Sequence, residues 1–121
     1  MDKIGVEVLL EHAAFVKALA RRLVRDEATA EDVAQQTWLA ALRRPPDRNP
    51  RSWLGTVARN IVRGVVRSDR RRLRRERTAA RSESVGPADA EVTRAELLRS
   101  VTDAVLALPE QDREVILLRF Y

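Results

Sequence analysis

The chain has 121 residues with 23 Lys and Arg, 18 Asp and Glu and a net charge of +5, and 45% of its residues are hydrophobic while only 4% are aromatic. This length suits one compact domain or two small ones, with a core built mainly from Leu, Val and Ala. The absence of cysteine excludes disulfide and thiolate–metal chemistry and fits a reducing compartment. The sequence shows no secretory segment and no long apolar run, so we expect a soluble, cytoplasmic protein without a membrane partner.

Charge is distributed unevenly along the chain. Residues 1–42 carry a net charge of −2, residues 43–81 carry +11 and residues 82–121 carry −4. A basic segment of this density indicates nucleic acid or another polyanion as a partner. For residues 70–81 taken alone, the alternative is a solvated, arginine-rich linker.

The periodicity of apolar residues predicts an all-α protein with five helices and no strand. The first helix runs from about Val6 to Arg25 and carries one apolar stripe. It contains the single histidine, His12. We interpret His12 as a packed or partly exposed residue, because a lone histidine in an apolar helix has no further ligands beside it.

The second helix begins at Thr29, which together with Asp32 resembles a capping box, and continues to Leu42. Four residues project from one side of it: Asp32, Gln35, Gln36 and Leu39. The helix also contains Trp38, a residue type enriched at protein contacts. One interpretation is a partner-binding surface; the alternative is a core tryptophan beside solvated glutamines.

The third helix begins at Asn49, an N-cap candidate followed by proline at the first helical position, and runs to about Arg70. One broad side is apolar and includes Trp53, which we expect in the core. At 100° per residue the opposite side is basic and polar. It comprises Thr56, Arg59, Asn60, Arg63, Arg67 and Arg70. Because the apolar side must pack into a core, we expect the helix to be ordered. We therefore predict that its basic side forms a rigid surface that binds an anion.

Residues 71–87 lose periodicity and are predicted to form a linker, although their first part could extend the third helix. A fourth helix is predicted from about Asp89 to Leu108, and a fifth begins at Pro109. The chain ends in an apolar run from Val115 to Tyr121. Two short helices cannot bury that much surface between them, so we expect either a covering partner or a fragment of a longer protein.

The sequence offers no arrangement typical of an enzyme or a cofactor site. Its four glycines are scattered, so no phosphate-cradling loop is formed, and nothing supplies three metal ligands. No nucleophile has an apparent base nearby. We therefore expect a binding protein that is not an enzyme and needs no cofactor or metal.

Three segments in a fixed order carry a family resemblance: EDVAQQTWLAAL at 31–42, PRSWLGTVARNIVRGVVRSDRRR at 50–72 and ALPEQDREVILLRFY at 107–121. Together they resemble a bacterial RNA polymerase sigma factor of the extracytoplasmic-function group. The resemblance covers most of the chain and implies three parts. Residues 1–72 would form a compact helical domain like sigma region 2, and residues 73–88 a linker. Residues 89–121 would form the first two helices of an incomplete helix-turn-helix domain like sigma region 4.

The resemblance implies a transcription initiation factor that binds core RNA polymerase and recognises and melts the minus-ten promoter element. In the family, the helix matching residues 31–42 docks on the coiled-coil clamp of the beta-prime subunit. The implied contact residues are Asp32, Gln35, Gln36, Trp38 and Leu39. An anti-sigma factor enters as a partner by family analogy alone.

The resemblance also implies promoter DNA as a partner of the third helix and of the loop before it, about Arg44 to Arg51. In the family this loop captures a flipped base. The implied DNA-binding residues are Arg48, Asn49, Arg51, Thr56, Arg59, Asn60, Arg63, Arg67 and Arg70. We expect Arg63, Arg67 and Arg70 to contact mostly phosphates. Gly55 and Thr56 stand where the family often has an aromatic residue or arginine.

Two other functions fit the same basic surface. One is a helical module that binds nucleic acid without the polymerase. The other is an interaction adaptor whose arginine face meets an acidic protein. Tight binding of DNA by the isolated chain would favour the first, and competition by heparin but not by promoter DNA would favour the second.

Overall fold

The computed structural model describes residues 3–80 and 93–121, and within these ranges the chain folds into six α-helices without a strand. The helices are α1 (Val6–Leu10), α2 (Ala13–Leu23), α3 (Glu27–Arg43), α4 (Pro50–Ala80), α5 (Arg94–Leu106) and α6 (Glu110–Phe120). The prediction of an all-α protein is confirmed. Several predicted helices have other boundaries in the structure.

The predicted first helix is broken into α1 and α2. Glu11 caps the C-terminus of α1, and His12, with φ −94° and ψ 13°, precedes α2 as its N-cap residue. In a continuous helix Phe15 would lie about 120° around the axis from Leu9. Both side chains are buried, and the break gives α1 and α2 separate orientations in which each faces the core.

The second predicted helix begins earlier than expected, because Asp26 rather than Thr29 is its N-cap. The Asp26 carboxylate accepts hydrogen bonds from the backbone N–H of Thr29 at 2.9 Å and from the Thr29 hydroxyl at 2.7 Å. These bonds favour the ionised form and lower the pKa of the Asp26 carboxyl. The predicted capping box of Thr29 and Asp32 is therefore wrong; aspartate is the stronger cap and it competes successfully.

Helix α4 begins after Asn49 as predicted and is longer than expected. Asn49 has a φ of 48°, a left-handed conformation that asparagine tolerates, and its carbonyl accepts the N–H of Trp53 at 3.0 Å. The helix continues past Arg70 to Ala80, through residues predicted as the start of the linker. Arginine, leucine and alanine are good helix formers, which explains the extension.

The fourth predicted helix begins later than expected. The Thr93 hydroxyl accepts the backbone N–H of Glu96 at 3.1 Å and caps α5. The helix therefore starts at Arg94 rather than at Asp89, because an extended Thr93 stops it from continuing towards the N-terminus. The predicted positions 89–92 lie outside the described residues.

The core lies where α2, α3 and α4 pack together and α5 and α6 close over them. Its hydrophobic members are Leu9, Phe15, Val16, Leu19, Ala20, Leu23, Ala30, Val33, Ala41, Leu54, Ala58, Val62, Leu106 and Leu117. Trp53 is half-buried against this core, as expected. The predicted apolar side of α4 ends early: Val66 is exposed, because it faces an open groove between α4 and α5.

Candidate polymerase and DNA interfaces

Helix α3 presents its predicted partner-binding residues to solvent. Asp32, Gln35, Gln36 and Leu39 are all exposed. The opposite side of the helix is fixed in the core by four buried residues: Ala30, Val33, Thr37 and Ala41. The Thr37 hydroxyl donates a hydrogen bond to the Val33 carbonyl at 2.7 Å, so this buried polar group is satisfied within the helix. The exposed face is therefore carried by a rigid helix.

Trp38 combines the two interpretations that the sequence left open. It is half-buried and packs against the core, and it also lines a groove of about 310 Å³ between α2 and α3. Gln35 lines the same groove. A partner that fills this groove would contact one edge of Trp38, while the other edge supports the fold.

A second groove, of about 490 Å³, lies between α3 and α4. Gln36 and Leu39 form its α3 side, and Asn60 with Ile61 forms part of its α4 side. The two predicted interfaces therefore meet along one groove. A protein bound to α3 and a DNA strand bound to α4 would lie next to each other.

Four of the predicted DNA-binding residues share one exposed face of α4: Asn60, Arg63, Arg67 and Arg70. They line a groove of about 770 Å³ between α4 and α5, and Arg99 faces them from α5. Leu23, Val62 and Val66 contribute apolar surface to the same groove. Among residues 3–80 and 93–121, none of these arginines forms an ion pair with a carboxylate. The groove is thus strongly cationic.

Three other predicted DNA-binding residues contact the C-terminal helices. Arg59 Nε lies 2.8 Å from Asp103 Oδ1, and Arg48 Nη2 lies 3.3 Å from Glu110 Oε2. Arg51 Nη1 donates to the carbonyls of Leu117 at 3.0 Å and Tyr121 at 2.8 Å. These guanidinium groups are occupied by the protein itself in this structure.

Arg51 has further partners near α2. Its Nε donates to Nδ1 of His12 at 3.3 Å, and its guanidinium carbon lies 4.8 Å from the centre of the Phe15 ring. Burial, together with the charge of Arg51, lowers the pKa of His12 below its ordinary value. His12 is therefore a partly buried acceptor, in line with its interpretation as a packed residue.

The two remaining predicted DNA-binding residues are less accessible than expected. Asn49 is half-buried in the loop before α4, and Thr56 is half-buried on α4. The Thr56 hydroxyl oxygen is buried and has no hydrogen-bond partner among the described residues. Thr56 nevertheless lies within about 20° of Arg63 and of Arg67 around the helix axis, so it shares their side of α4.

A polar cluster between α4 and α6 was missed at the level of sequence. The buried Glu114 carboxylate accepts the backbone N–H of Ser52 at 2.7 Å, and Arg113 Nε donates to the Ser52 hydroxyl at 2.6 Å. These partners are separated by 62 and 61 residues, so no local pattern could reveal them. Arg99 was missed for the same reason.

Within the described ranges, no cluster of His, Asp or Glu side chains is suited to hold a metal ion. The helices of these ranges also include none with the length and hydropathy needed to cross a bilayer.

Residues 8–75 match the sequence profile of the sigma-70 region 2 family. The chain belongs to the sigma-70 region 2 family. The match contains the last three residues of α1, all of α2 and α3, and most of α4. It includes every residue predicted to contact polymerase or DNA, and it ends before α5 and α6.

Curated sigma factors are similar to this region 2 chain. It is 46% identical over 65 residues to the ECF (extracytoplasmic-function) RNA polymerase sigma factor SigL of Mycobacterium tuberculosis, a match that covers 50% of this chain and 37% of SigL. It is 32% identical over 119 residues to the RNA polymerase sigma factor CarQ of Myxococcus xanthus, covering 93% of this chain and 66% of CarQ. It is 33% identical over 115 residues to the probable RNA polymerase sigma factor RfaY of Xanthomonas campestris pv. campestris, covering 87% of this chain and 28% of RfaY.

These relatives and the region 2 match identify an RNA polymerase sigma factor of the extracytoplasmic-function type. The chain spans little more than a third of the length of SigL and about two thirds of that of CarQ. No solved structure matches the chain significantly.

Proposed function

We propose that this sigma factor binds core RNA polymerase through the exposed side of α3 and recognises and melts the minus-ten promoter element through α4. The main support is the groove between α3 and α4, where Gln36 and Asn60 line the same cavity. A helix that grips the polymerase thereby positions the DNA-binding helix next to it. Neither surface needs to bind tightly alone, because each tethers the other.

The polymerase contact would use a mixed polar and apolar surface. Asp32 offers a carboxylate, Gln35 and Gln36 offer amides, and Leu39 is 52% exposed. Interfaces of this kind take much of their binding energy from a few apolar or aromatic anchors, with polar groups fixing orientation. The family resemblance points to the coiled-coil clamp of the beta-prime subunit as the partner surface.

The DNA contact would use the cationic groove along α4. The exposed arginines Arg63, Arg67 and Arg70 would hold phosphates and set the position of the strand. Asn60, nearest the α3 groove, would meet base edges. Flipping a base out of the stack costs a few kcal/mol. Contacts of the flipped base with the loop before α4, together with the phosphate contacts, must offset this cost. Trp53 is half-buried against the core, so only part of its ring is open to solvent.

The docking assignment is tested by binding of the full chain to core polymerase, for example by fluorescence anisotropy of labelled sigma factor. Asp32→Arg reverses an exposed charge, and Glu7→Arg on α1 is the matched control because Glu7 is also exposed. We expect Asp32→Arg to weaken binding at least about tenfold, since like charges at an interface cost several kcal/mol. The control should stay within about twofold of wild type.

Trp38→Ala provides a second variant of different chemistry. A central tryptophan is worth about 2 kcal/mol or more at an interface, so we expect about a thirtyfold loss of polymerase affinity. Because Trp38 also packs against the core, circular dichroism must first show that the variant is folded. If the folded Trp38→Ala and Asp32→Arg variants both bind polymerase as wild type does, α3 is not the docking helix.

A nucleic-acid-binding module that acts without polymerase is the second candidate. The observation that favours it is a further exposed basic patch on the distal part of α4, where Arg71, Arg74 and Arg75 line a groove of about 430 Å³. Direct titration of the isolated chain with single- and double-stranded DNA separates the two functions. Tight binding without polymerase favours the module; weak binding that core polymerase strengthens favours the initiation factor.

A further inference from the structure

The groove between α4 and α5 brings together arginines from both helices. Its four arginine side chains are Arg63, Arg67, Arg70 and Arg99. The last of these is on α5, which packs closely on α4: a Cβ atom added at Gly55 would lie 2.6 Å from Leu106 Cδ2. The groove is therefore a shaped cavity with cations on two of its walls, rather than one basic face of a single helix.

Arg99 lacks a partner of opposite charge on its own helix. It is half-buried, and the carboxylates about one turn away on either side pair with other arginines. Glu96 pairs with Arg25 at 2.6 Å, and Asp103 pairs with Arg59 at 2.8 Å. Among residues 3–80 and 93–121, Arg99 forms no ion pair. Because a charge that is partly withdrawn from water needs a counter-charge, Arg99 favours an anion that comes from outside the described chain.

The same groove also offers apolar and hydrogen-bonding surface. Leu23, Val62 and Val66 line it, together with the Asn60 amide and the Ser100 hydroxyl. Its volume of about 770 Å³ lies within the range of about 300–1,000 Å³ that is typical of sites for small organic ligands. An inorganic anion would contact the arginines alone and would leave the apolar surface exposed to water.

A nucleotide with two or more phosphates matches both parts of this lining. Phosphate oxygens accept paired hydrogen bonds from guanidinium groups, so several converging arginines suit several phosphates. The base has a flat apolar face that can lie against valine side chains, and guanidinium groups also stack on such faces. The Asp103 carboxylate lines the groove as well, but its charge is balanced by Arg59.

We propose that the groove between α4 and α5 is a binding site for a nucleoside diphosphate or triphosphate. The phosphates pair with Arg63, Arg67 and Arg99, and the nucleoside lies against Val62 and Val66. The site needs neither polymerase nor DNA, so the proposal goes beyond the proposed function and does not depend on it. The nucleotide would be a small-molecule ligand of the free sigma factor.

Isothermal titration calorimetry of the full chain tests the site, at about 150 mM salt so that weak attraction between exposed charges is screened. The ligands are adenosine triphosphate, guanosine triphosphate and inorganic triphosphate. We expect at least one nucleotide to bind about tenfold more tightly than inorganic triphosphate, because the nucleoside buries additional apolar surface. Equal affinity for all three ligands overturns the proposal. Binding of single-stranded DNA but of neither nucleotide also overturns it, since the groove would then serve DNA alone.

Arg99→Gln tests the contribution of α5. Its matched control is Arg94→Gln, which makes the same change of charge at an exposed arginine of α5 outside the groove. We expect Arg99→Gln to weaken nucleotide binding at least about fivefold, because a charge-assisted bond to phosphate is lost. The control should remain within about twofold of wild type. Equal losses in the two variants would show a general attraction of anions to a basic chain, and the proposal would be wrong.

Val66→Ser tests the place of the nucleoside. Val66 is 40% exposed and Leu73, the control site on the same helix, is 50% exposed and lies outside the groove. Val66→Ser should weaken nucleotide binding about threefold and leave the affinity for inorganic triphosphate unchanged, since only apolar contact is removed. Leu73→Ser should alter neither affinity. Nucleotide binding that is the same in Val66→Ser and wild type contradicts the proposal.

These titrations contain neither DNA nor polymerase, so their outcome is separate from that of the proposed function. One linked expectation does rest on that function: a bound nucleotide and a DNA strand would both use Arg63 and Arg67. Added nucleotide should therefore weaken binding of single-stranded DNA in wild type, and weaken it less in Arg99→Gln. If nucleotide binds as expected but Arg63→Ala leaves DNA binding unchanged, the nucleotide site stands and the assignment of α4 to DNA fails.

Discussion

Replacing Arg63 by alanine tests the sorting of α4 residues into phosphate contacts and base contacts. Arg63 is exposed, it lines the cationic groove with Arg67 and Arg70, and it pairs with no carboxylate among the described residues. Its removal should therefore affect bound DNA without disturbing the fold. The loss of one exposed charge-assisted contact of about 1 kcal/mol lowers affinity about fivefold.

The salt dependence of DNA binding tests the role of Arg63 more sharply than the affinity at one salt concentration does. Each phosphate neutralised contributes a slope of about −0.7 on single-stranded DNA and about −0.9 on duplex DNA in a plot of log affinity against log salt concentration. Removing one contact flattens the slope by that amount. Between about 50 and about 200 mM salt, the ratio of wild-type to variant affinity should therefore shrink by about threefold.

The assay is promoter binding by polymerase assembled with the full-length chain, measured at several salt concentrations and on several promoters. Arg94→Ala is the control, because Arg94 is an exposed arginine on α5 that does not line the groove. We expect Arg63→Ala to weaken binding by a similar factor on every promoter. An unchanged slope with an altered preference among promoters would show that Arg63 reads bases, and the sorting would be wrong.

Two further outcomes concern stability. Burial, helped by the Arg51 charge, holds the pKa of His12 below its ordinary 6.5, so the unfolded chain takes up a proton more readily. Neutral His12 should thus contribute to the free energy of unfolding above about pH 6.5, and this contribution should be lost as the pH falls towards the lower folded-state pKa. Urea unfolding between about pH 7 and 5 should show this loss in wild type but not in His12→Gln. Equal pH profiles of the two proteins would refute the expectation. Leu54 is fully buried, so Leu54→Ala should lower the free energy of unfolding by about 2–5 kcal/mol, whereas Leu73→Ala, at a site 50% exposed, should change it by about 0.5 kcal/mol or less in the same urea titration.

The elements that the sequence predicted well depend on local periodicity. The apolar side of α4 is confirmed at Leu54, Ala58 and Val62, because a helical repeat determines which residues share a face. The boundaries depend on competition between neighbouring capping residues and were less predictable. Asp26 caps α3 in place of Thr29, and Thr93 starts α5 later than the composition suggested.

In the candidate site, too, the features set by local spacing were predictable and the contacts between distant residues were not. Asn60 and Arg63 line one groove, as their spacing predicted, although their contact with DNA stays a prediction. The pairing of Arg59 with Asp103 could not be predicted, because 44 residues separate the partners. Such contacts follow from how α5 and α6 dock, and docking depends on shape at positions such as Gly55.

The length of α4 has a consequence for how its distal turns respond to ligands. The helix has 31 residues, which at about 1.5 Å per residue is roughly 46 Å, yet the last buried residue between positions 50 and 78 is Val62. Beyond that point Arg63, Arg67, Arg71 and Arg75 succeed one another on adjacent turns, a spacing at which like charges disfavour the helical state. A polyanion bound along these arginines would remove the repulsion between them. Formation of the distal helical turns and binding of the nucleic-acid strand should therefore be thermodynamically linked.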